Sequence, residues 1–377
     1  MTSKLPNAQT SIFAVMSKMA NESKAINLAQ GFPDFDVSPV LIDRIHYYMQ
    51  QGYNQYAPMP GVQELRTAIA KKIEKTYSVG IDEDDVTITA GATQGLFAVI
   101  TAIVHAGDEV IYFDPAYDSY LPAIQLSGGI PVNINLDKDD FSIPWEEVAR
   151  KITSKTKLII INTPHNPSGA ILSAEDIEEL ARLIRDKEIY VLSDEVYEHL
   201  IYDGEEHHSV LKNEELKNKS IAVYSFGKTF HATGWKMGYT IAPDFLTAEI
   251  RKVHQFMVFS VSTATQWALA DYLQDSKNYE YLSKFFQAKR DLLLSLMKPS
   301  RFIPVKCQGT YFQTFSYREI SDRTDREMAA WMTKTHGVAA IPLSPFYTDG
   351  SDHKQIRLCF AKSEDTLKQA AQKLCQI

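Results

Sequence analysis

The sequence predicts an α/β protein with a large domain built on a mostly parallel central sheet and a smaller α/β domain. In the middle of the chain, short β-branched or aromatic runs alternate with helical patterns. These runs are nearly continuous in apolar residues, which is typical of parallel strands that are buried on both faces. Beyond residue 276 the pattern changes to a long helix followed by a few strands and helices. We therefore expect a large domain over 40–275, a small domain over 276–377, and an N-terminal arm over 1–39 that forms part of the small domain.

Six runs account for the predicted strands of the large domain. In chain order they are VTITA, EVIYFD, IPVNINL, KLIIINT, IYVLSD and SIAVYSF. The helix between the fourth and fifth begins with Ser173 and Asp176, which have the spacing of a capping box. In the small domain a helix over 279–296 precedes strands in GTYFQTFSY and KQIRLCFA. A second capping box, Thr324 with Glu327, lies between these strands, and a final helix follows them.

Composition restricts the class of function. The net charge of -8 disfavours a general nucleic-acid binder. Cys307, Cys359 and Cys375 are scattered and form neither a disulfide framework nor a metal motif, and no histidine pair has ligand spacing. The longest apolar run, 96–104, is too short to cross a bilayer, and residues 1–24 lack the apolar stretch of a secretory signal. We expect a cytoplasmic protein that needs no metal and no membrane.

Five of the predicted strands end in side chains suited to ligand binding, and ligands of parallel sheets bind at that edge. The turn Gly91–Gly95 opens a helix whose first N–H groups can bind an anion. Tyr117 can stack on a flat ring, and Asn166, between two prolines, offers both donor and acceptor groups. Asp194 ends an apolar strand, where an acid requires a cation or a metal. Lys228 follows the sixth run, SIAVYSF, and together these groups predict one site.

Lys228 has three interpretations. In the first, it is a surface lysine that reaches from a strand end to water. In the second, it ends a phosphate-binding P-loop, and in the third it is a nucleophilic amine with a lowered pKa. A P-loop requires glycine at position 222, where Ala222 stands. The acidic strand of a P-loop protein would also follow the lysine, whereas here the acidic strand IYVLSDE precedes it. A nucleophilic lysine forms Schiff bases with carbonyls such as pyridoxal phosphate, which needs an acid, a phosphate cup and a stacking face. Asp194, the Gly91–Gly95 turn and Tyr117 supply such groups.

Longer motifs reveal a family resemblance. NTPHNPSG, LSDEVYEHL and SFGKTFHATGWKMGY together resemble the class I aminotransferases of pyridoxal-phosphate fold type I. NLAQGFPDFD, NQYAPMPGVQELR, TAGATQGLF, FDPAYDSY and IRLCFAK extend the match over nearly the whole chain. Within the family the sequence looks closest to the bacterial methionine aminotransferases, and next to the kynurenine/glutamine aminotransferases. The resemblance implies pyridoxal 5'-phosphate as the cofactor and a homodimer with shared active sites.

The same resemblance implies the roles of the site residues. Lys228 matches the lysine that forms an imine with the cofactor and then moves the substrate α-proton. Asp194 matches the acid that keeps the pyridine nitrogen protonated, and Tyr197 matches a hydrogen-bond donor to the ring hydroxyl oxygen. The remaining implied cofactor contacts are Asn166 at that oxygen, Tyr117 on the ring, Ala92, Thr93, Ser225 and Lys236 at the phosphate, and Tyr56 at the phosphate of the neighbouring subunit.

Substrate recognition is implied in the same way. Arg357 matches the arginine that binds the substrate carboxylate, and Gly31 completes that site with Asn166. Lys236 stands where the aspartate branch of the family has an arginine, and no second arginine is evident for a side-chain carboxylate. We therefore expect an apolar pocket, which we assign to Phe13, Phe230 and Tyr56. For Phe13, a plain core position is an equal alternative.

The implied function is transfer of the amino group of methionine to a 2-oxo acid by a ping-pong Schiff-base mechanism. Aromatic amino acids, glutamine or histidine are further expected donors. Kynurenine–oxoglutarate transamination and β-elimination of cysteine conjugates are alternatives for the same site. A non-catalytic ligand-sensing domain is disfavoured because the chain has no spare length for a DNA-binding domain, and a P-loop NTPase is disfavoured by Ala222.

Overall fold

The computed structural model describes residues 2–6, 8 and 10–377. In chain order the strands are β1 (Ile26–Asn27), β2 (Val86–Thr89), β3 (Glu109–Asp114), β4 (Ile130–Asn135), β5 (Thr156–Asn162), β6 (Tyr190–Asp194), β7 (Ser220–Ser225), β8 (Gly238–Ile241), β9 (Ile303–Pro304), β10 (Phe312–Ser316), β11 (Val338–Ala339), β12 (Ile341–Pro342) and β13 (Gln355–Cys359). The α-helices are α1 (Ile12–Glu22), α2 (Pro39–Gln50), α3 (Gln63–Tyr77), α4 (Gly91–Ile103), α5 (Tyr120–Leu126), α6 (Trp145–Lys151), α7 (Ala174–Ile184), α8 (Phe226–Thr229), α9 (Asp244–Met257), α10 (Thr263–Leu273), α11 (Lys277–Glu280), α12 (Leu282–Met297), α13 (Asp325–Trp331) and α14 (Glu364–Leu374). None of these helices is both long and apolar enough to span a bilayer.

The large sheet has the strand order β2-β8-β7-β6-β5-β3-β4. Pairing is parallel from β7 through to β4, and β8 runs antiparallel to both of its neighbours. The predicted mostly parallel sheet is therefore confirmed. In register, Asn162 lies opposite Asp194, and Asp194 lies opposite Val223, so the carboxyl ends of β5, β6 and β7 lie side by side.

Both faces of this sheet are covered, as the apolar strands predicted. On β5 and β6, Ile159 and Val191 belong to one hydrophobic core, whereas Leu158, Ile160 and Leu192 belong to a second core on the other face. Successive strand residues point to opposite faces, so a strand buried on both sides has no polar alternation. The sheet is thereby fixed rigidly between its helices.

The chain after α12 forms a four-stranded antiparallel sheet with the order β12-β13-β10-β9. The N-terminal segment joins this part of the molecule, because β1 pairs in parallel with β11 and α1 packs with Ala339 and Ile341. Both predicted capping boxes form, at the starts of α7 and α13. The single long helix predicted over 279–296 is instead α11 and α12, which are separated at Tyr281.

Candidate active site

A cavity of about 140 Å³ lies at the carboxyl edge of the large sheet. Its walls come from the start of α4, from the ends of β5, β6 and β7, and from the turn that precedes β8. It brings together nine of the residues that the sequence predicted: Ala92, Thr93, Tyr117, Asn166, Asp194, Tyr197, Ser225, Lys228 and Lys236. Strand-end reasoning and the resemblance therefore converge on one place in the fold.

Lys228 lies on α8, directly after β7. Its Nζ donates a hydrogen bond to the Tyr311 hydroxyl at 2.9 Å and lies 3.5 Å from the carbonyl oxygen of Gly31. Burial lowers the pKa of this amine to about 8, and the nearby Arg357 and Lys236 act in the same direction. The side chain lines the cavity and donates a hydrogen bond to the buried Tyr311 hydroxyl. The interpretation of Lys228 as a surface lysine that extends into water is therefore wrong.

Asp194 ends β6 and is 4% exposed. Its carboxylate accepts hydrogen bonds from the Tyr120 hydroxyl at 2.7 Å and from the Val196 N–H at 3.4 Å. Burial raises the pKa of this carboxyl to about 6. Both donors are neutral, and a buried carboxylate is stabilised further by a cation. Asp194 lines the cavity, so a cation bound there would lie next to this carboxylate.

One end of the cavity is built to hold an anion. Gly91 starts α4 with a φ of +75°, which a residue with a side chain rarely adopts. A Cβ at this position would lie 3.4 Å from Nζ of Lys236, so the glycine leaves room for the lysine beside the helix start. The N–H groups of Ala92 and Thr93 belong to the first turn of α4, which has no intrahelical acceptors for them. Ser225, at the end of β7, lines the same cavity.

Arg357 on β13 is 1% exposed and is not among the residues that line the cavity, but it contacts the lining residue Asn166. Its Nη1 donates to Oδ1 of Asn166 at 2.6 Å, and its guanidinium lies 3.7 Å from the ring centroid of Phe312. Its Nε has no partner among the described residues. The Phe13 ring centroid lies 5.3 Å from the guanidinium, and a Cβ on Gly31 would come 2.9 Å from the Phe312 ring. Phe13 therefore lies beside Arg357, and Gly31 packs against the Phe312 ring that the guanidinium also contacts.

Two residues assigned to the apolar pocket lie elsewhere. Phe230 is 5% exposed and stacks on Phe226, so the prediction that it lines the pocket is wrong. Phe230 directly follows α8. Because Lys228 occupies the side of this helix that faces the cavity, the Phe230 ring packs on the other side, in the core. Tyr56 is 84% exposed, packs against Phe259, and does not line this chain's own cavity.

Sequence reasoning missed several groups in contact with the predicted ones. Asn162 accepts from the Asn166 N–H at 2.8 Å and donates to the Asp194 carbonyl at 2.8 Å. This polar residue ends the strand KLIIIN, so the strand-end rule had the signal for it. Tyr120 bonds to Asp194, and Tyr311 bonds to Lys228. Each tyrosine is distant in sequence from its partner, so the contact could not be predicted without the fold.

The family model for class I and II aminotransferases matches residues 23–374. The chain belongs to this family. Over 377 residues it is 51% identical to the methionine aminotransferase of Escherichia coli K12, which covers 100% of this chain and 98% of that protein. It is 35% identical to the kynurenine–oxoglutarate transaminase of Dictyostelium discoideum, and the match covers 99% of this chain and 96% of that protein. The predicted family and enzyme class are thus confirmed.

Solved structures of other aminotransferases have the same fold. YbdL of Escherichia coli, described as having a methionine aminotransferase function, superposes with a TM-score of 0.98 at 50% identity, covering 100% of this chain and 99% of that one. The N-succinyldiaminopimelate aminotransferase of Mycobacterium tuberculosis superposes with a TM-score of 0.96 at 34% identity, covering 100% and 99%. The predicted fold class of this aminotransferase is confirmed.

The stability of this aminotransferase should fall in mild acid because of His165, which is buried beside the cavity. Its Nδ1 lies 2.6 Å from the Ser168 hydroxyl, and burial lowers its pKa to about 4. The unfolded chain takes up a proton near pH 6.5 but the folded chain does not, so stability is lost as pH falls from 6.5 towards 4. Between pH 7 and pH 5 this histidine should account for about 2 kcal/mol.

Denaturant unfolding of the wild type and of His165→Asn at both pH values checks this. Asparagine keeps a polar group near Ser168 but does not titrate. The variant should lose about 2 kcal/mol less than the wild type between pH 7 and pH 5. Equal losses in the two proteins would contradict the assignment to His165.

Proposed function

We propose that this aminotransferase moves the amino group of methionine to a 2-oxo acid with pyridoxal 5'-phosphate as its cofactor. Aromatic amino acids, glutamine and histidine are proposed as further donors. The observation that carries the proposal is that Lys228 and Asp194 line one cavity, and that Arg357 donates a hydrogen bond to Asn166, which lines the same cavity. The full-length match to a methionine aminotransferase supports the choice of substrate.

The residues of the cavity fit this cofactor chemically. Asp194 is a buried carboxylate whose described contacts are neutral donors, which suits a protonated ring nitrogen. At the other end, the free N–H groups of α4 and the Lys236 ammonium suit a phosphate. The remaining proposed contacts are Ala92, Thr93 and Ser225 at the phosphate, Tyr117 on the ring face, and Asn166 and Tyr197 at the ring oxygen.

Lys228 is the proposed base for the substrate α-proton. When bound, the cofactor supplies an aldehyde carbon and an electron-withdrawing ring. With a pKa of about 8, about a tenth of the Lys228 amine is neutral at pH 7, far more than for an ordinary lysine. The neutral amine would take the substrate α-proton at Nζ and hold it there as an ammonium. Asp194 stays ionised opposite a cationic ring nitrogen.

Arg357 and Phe13 are the proposed determinants of the substrate. The planar fork of Arg357 suits the α-carboxylate, and Gly31 and Asn166 border the same space. Phe13 lies beside the guanidinium and packs on Phe346 with ring centroids 5.7 Å apart, giving an apolar wall. The Phe13 and Phe346 rings offer no charged partner for a second carboxylate, which disfavours aspartate.

We also propose that the enzyme is a cytoplasmic homodimer in which Tyr56 reaches the phosphate of the neighbouring subunit. The support is an exposed aromatic surface around Tyr56, which is 84% exposed, together with Phe256 at 88% and Phe259 at 45%. Large aromatic side chains in a contiguous exposed group mark protein interfaces. The proposed division of each subunit is an arm over 1–39, a large domain over 40–275 and a small domain over 276–377.

An absorbance titration of the cofactor-loaded protein tests the function. Methionine, phenylalanine, glutamine, kynurenine and aspartate are added singly, and the visible band of the bound cofactor is followed. Methionine and phenylalanine should bleach the band at low concentration, and aspartate should not. Equal bleaching by aspartate would contradict the apolar pocket, and a protein that acquires no visible band with pyridoxal phosphate would contradict the cofactor assignment.

Replacing Arg357 with lysine should raise the KM for methionine about 10- to 100-fold, because a point charge replaces a two-pronged hydrogen-bond donor. Cofactor affinity should stay close to that of the wild type, since Arg357 lies at the substrate side. Steady-state kinetics and cofactor titration measure the two quantities. Arg290→Lys is the matched control, because Arg290 is a buried arginine bound to both carboxylate oxygens of Asp203 outside the cavity. An unchanged KM in Arg357→Lys would refute the assignment.

A further inference from the structure

The hydroxyl of Tyr311 lies between the Lys228 amine and the backbone of the N-terminal segment. It is 2.9 Å from Nζ of Lys228 and 2.6 Å from the carbonyl oxygen of Gly31. Tyr311 is fully buried, immediately before β10. The cavity-facing end of Lys228 therefore has a fixed polar neighbour that belongs to neither the cofactor contacts nor the carboxylate contacts proposed above.

The direction of these hydrogen bonds follows from the groups involved. A carbonyl oxygen only accepts, so the Tyr311 proton points to Gly31. The lone pairs of the phenol oxygen then face Lys228, and the amine must donate to them. A neutral Lys228 that donates an N–H to Tyr311 keeps its own lone pair free. The contact thus orients the amine without occupying the position that accepts a proton.

The phenol cannot easily leave this position. Its ring makes edge contacts with Tyr197 and Phe312, at centroid distances of 5.1 and 4.8 Å, and a tilted contact with Phe286 at 5.8 Å. Close packing of a buried ring holds its hydroxyl in place. The lysine side chain, by contrast, has a flexible four-carbon stem. Tyr311 is the rigid partner of the pair and fixes the mobile one.

We propose that Tyr311 is a catalytic residue that holds the Lys228 amine, through its hydroxyl oxygen, in the orientation that receives and returns the substrate α-proton. This rests on the proposed function of Lys228. The proton moves between the α-carbon and Nζ, and the Tyr311 proton stays on its own oxygen, bonded to Gly31. Once Lys228 is protonated, Tyr311 and the Gly31 carbonyl at 3.5 Å are both acceptors for the ammonium.

Tyr311→Phe tests the proposal because it removes the oxygen and keeps the packed ring. We expect kcat for methionine to fall about 10- to 100-fold with little change in KM, as for loss of one hydrogen bond to a reacting charged group. The rate ratio between methionine and α-deuterated methionine should rise, because proton transfer becomes slower. Steady-state kinetics with both substrates measure these changes.

A second readout does not depend on turnover. The full-length protein freed of cofactor is mixed with pyridoxal phosphate over a range of pH, and uptake is followed by visible absorbance. Uptake requires the neutral Lys228 amine, and Tyr311→Phe removes an acceptor that stabilises the ammonium. The midpoint of the pH dependence should therefore shift to lower pH in the variant.

Tyr202→Phe is the matched control. Tyr202 is fully buried and donates to the carbonyl of Thr310, next to Tyr311, without contacting Lys228. It should leave the isotope effect and the uptake midpoint unchanged. The proposal is overturned if Tyr311→Phe matches the wild type in both readouts, or if Tyr202→Phe reproduces both changes. If wild-type protein takes up the cofactor but does not react with methionine, the proposed function fails, and the uptake midpoints still decide the Tyr311 contact.

Discussion

Replacing Lys228 with alanine is expected to reduce amino transfer by about 10⁴-fold or more, because the variant lacks both the nucleophile and the base. The other cavity lysine, Lys236, cannot substitute for it, since it lies at the anion-binding end beside Gly91. The fold should survive, because Lys228 lines a cavity and the hydrogen bonds from Tyr120 and Val196 to the buried Asp194 carboxylate remain. The expected protein is folded, binds the cofactor non-covalently, and does not turn over.

Single-turnover mixing with methionine, followed by the absorbance of the cofactor, measures this effect. Added ethylamine should restore part of the rate in Lys228→Ala, because a small amine fits the space that the side chain leaves. Lys289→Ala is the control, since Lys289 is a partly buried lysine on α12 that packs over Phe35 and Phe285 outside the cavity. Retention of a tenth of the wild-type rate by Lys228→Ala would show that another group takes the proton.

The strands and the site residues that follow from a local sequence pattern could be predicted from the sequence. Apolar runs predicted the strands of the large sheet, and the ends of parallel strands meet at one edge by geometry alone. Asp194 and Lys228 were found in this way, and the register that sets Asn162 opposite Asp194 confirms the reasoning. Arg357 lies on β13 in the other sheet, and only the family resemblance pointed to it.

Features that depend on packing between distant segments were not predictable. The strand β8 was missed because it has four residues, begins with glycine, and follows Lys236 in the left-handed region. Phe230 follows Lys228 closely in sequence, yet it points into the core, because two residues along a helix rotate the side chain by about 200° to the opposite face. Tyr311 reaches Lys228 across a sequence separation of 83 residues. Such contacts require the assembled fold.

The segment that carries Asp194 and Tyr197 is anchored from behind by a buried ion pair. Lys72 on α3 is 3% exposed and pairs with Glu198, which is 5% exposed. The Tyr77 hydroxyl donates to the second carboxylate oxygen of Glu198 at 2.8 Å. Burial raises the pKa of the Glu198 carboxyl, but Lys72 and the Tyr77 hydrogen bond outweigh it and hold that pKa below its usual 4.5. The Glu198 carboxyl is therefore ionised in the folded protein at neutral pH.

Lys72→Met should lower the free energy of unfolding by about 3–5 kcal/mol, because it leaves the Glu198 carboxylate buried without its cation. Denaturant unfolding at pH 7 measures the loss. Lys252→Met is the control, since Lys252 pairs with Glu249 on the surface with side chains 65% and 53% exposed, and should change stability by less than about 1 kcal/mol. A similar small change in Lys72→Met would mean that water reaches Glu198.

The double variant Lys72→Met/Glu198→Gln separates the cost of an unpaired charge from the value of the pair. Removing both charges should recover much of the stability lost in Lys72→Met, because the remaining amide can still accept from Tyr77. Since Glu198 directly follows Tyr197, the single variant should also weaken cofactor binding, whereas the double variant should restore it together with stability. If binding stays weak in a double variant of wild-type stability, the pair positions Tyr197 directly rather than only stabilising the fold around it.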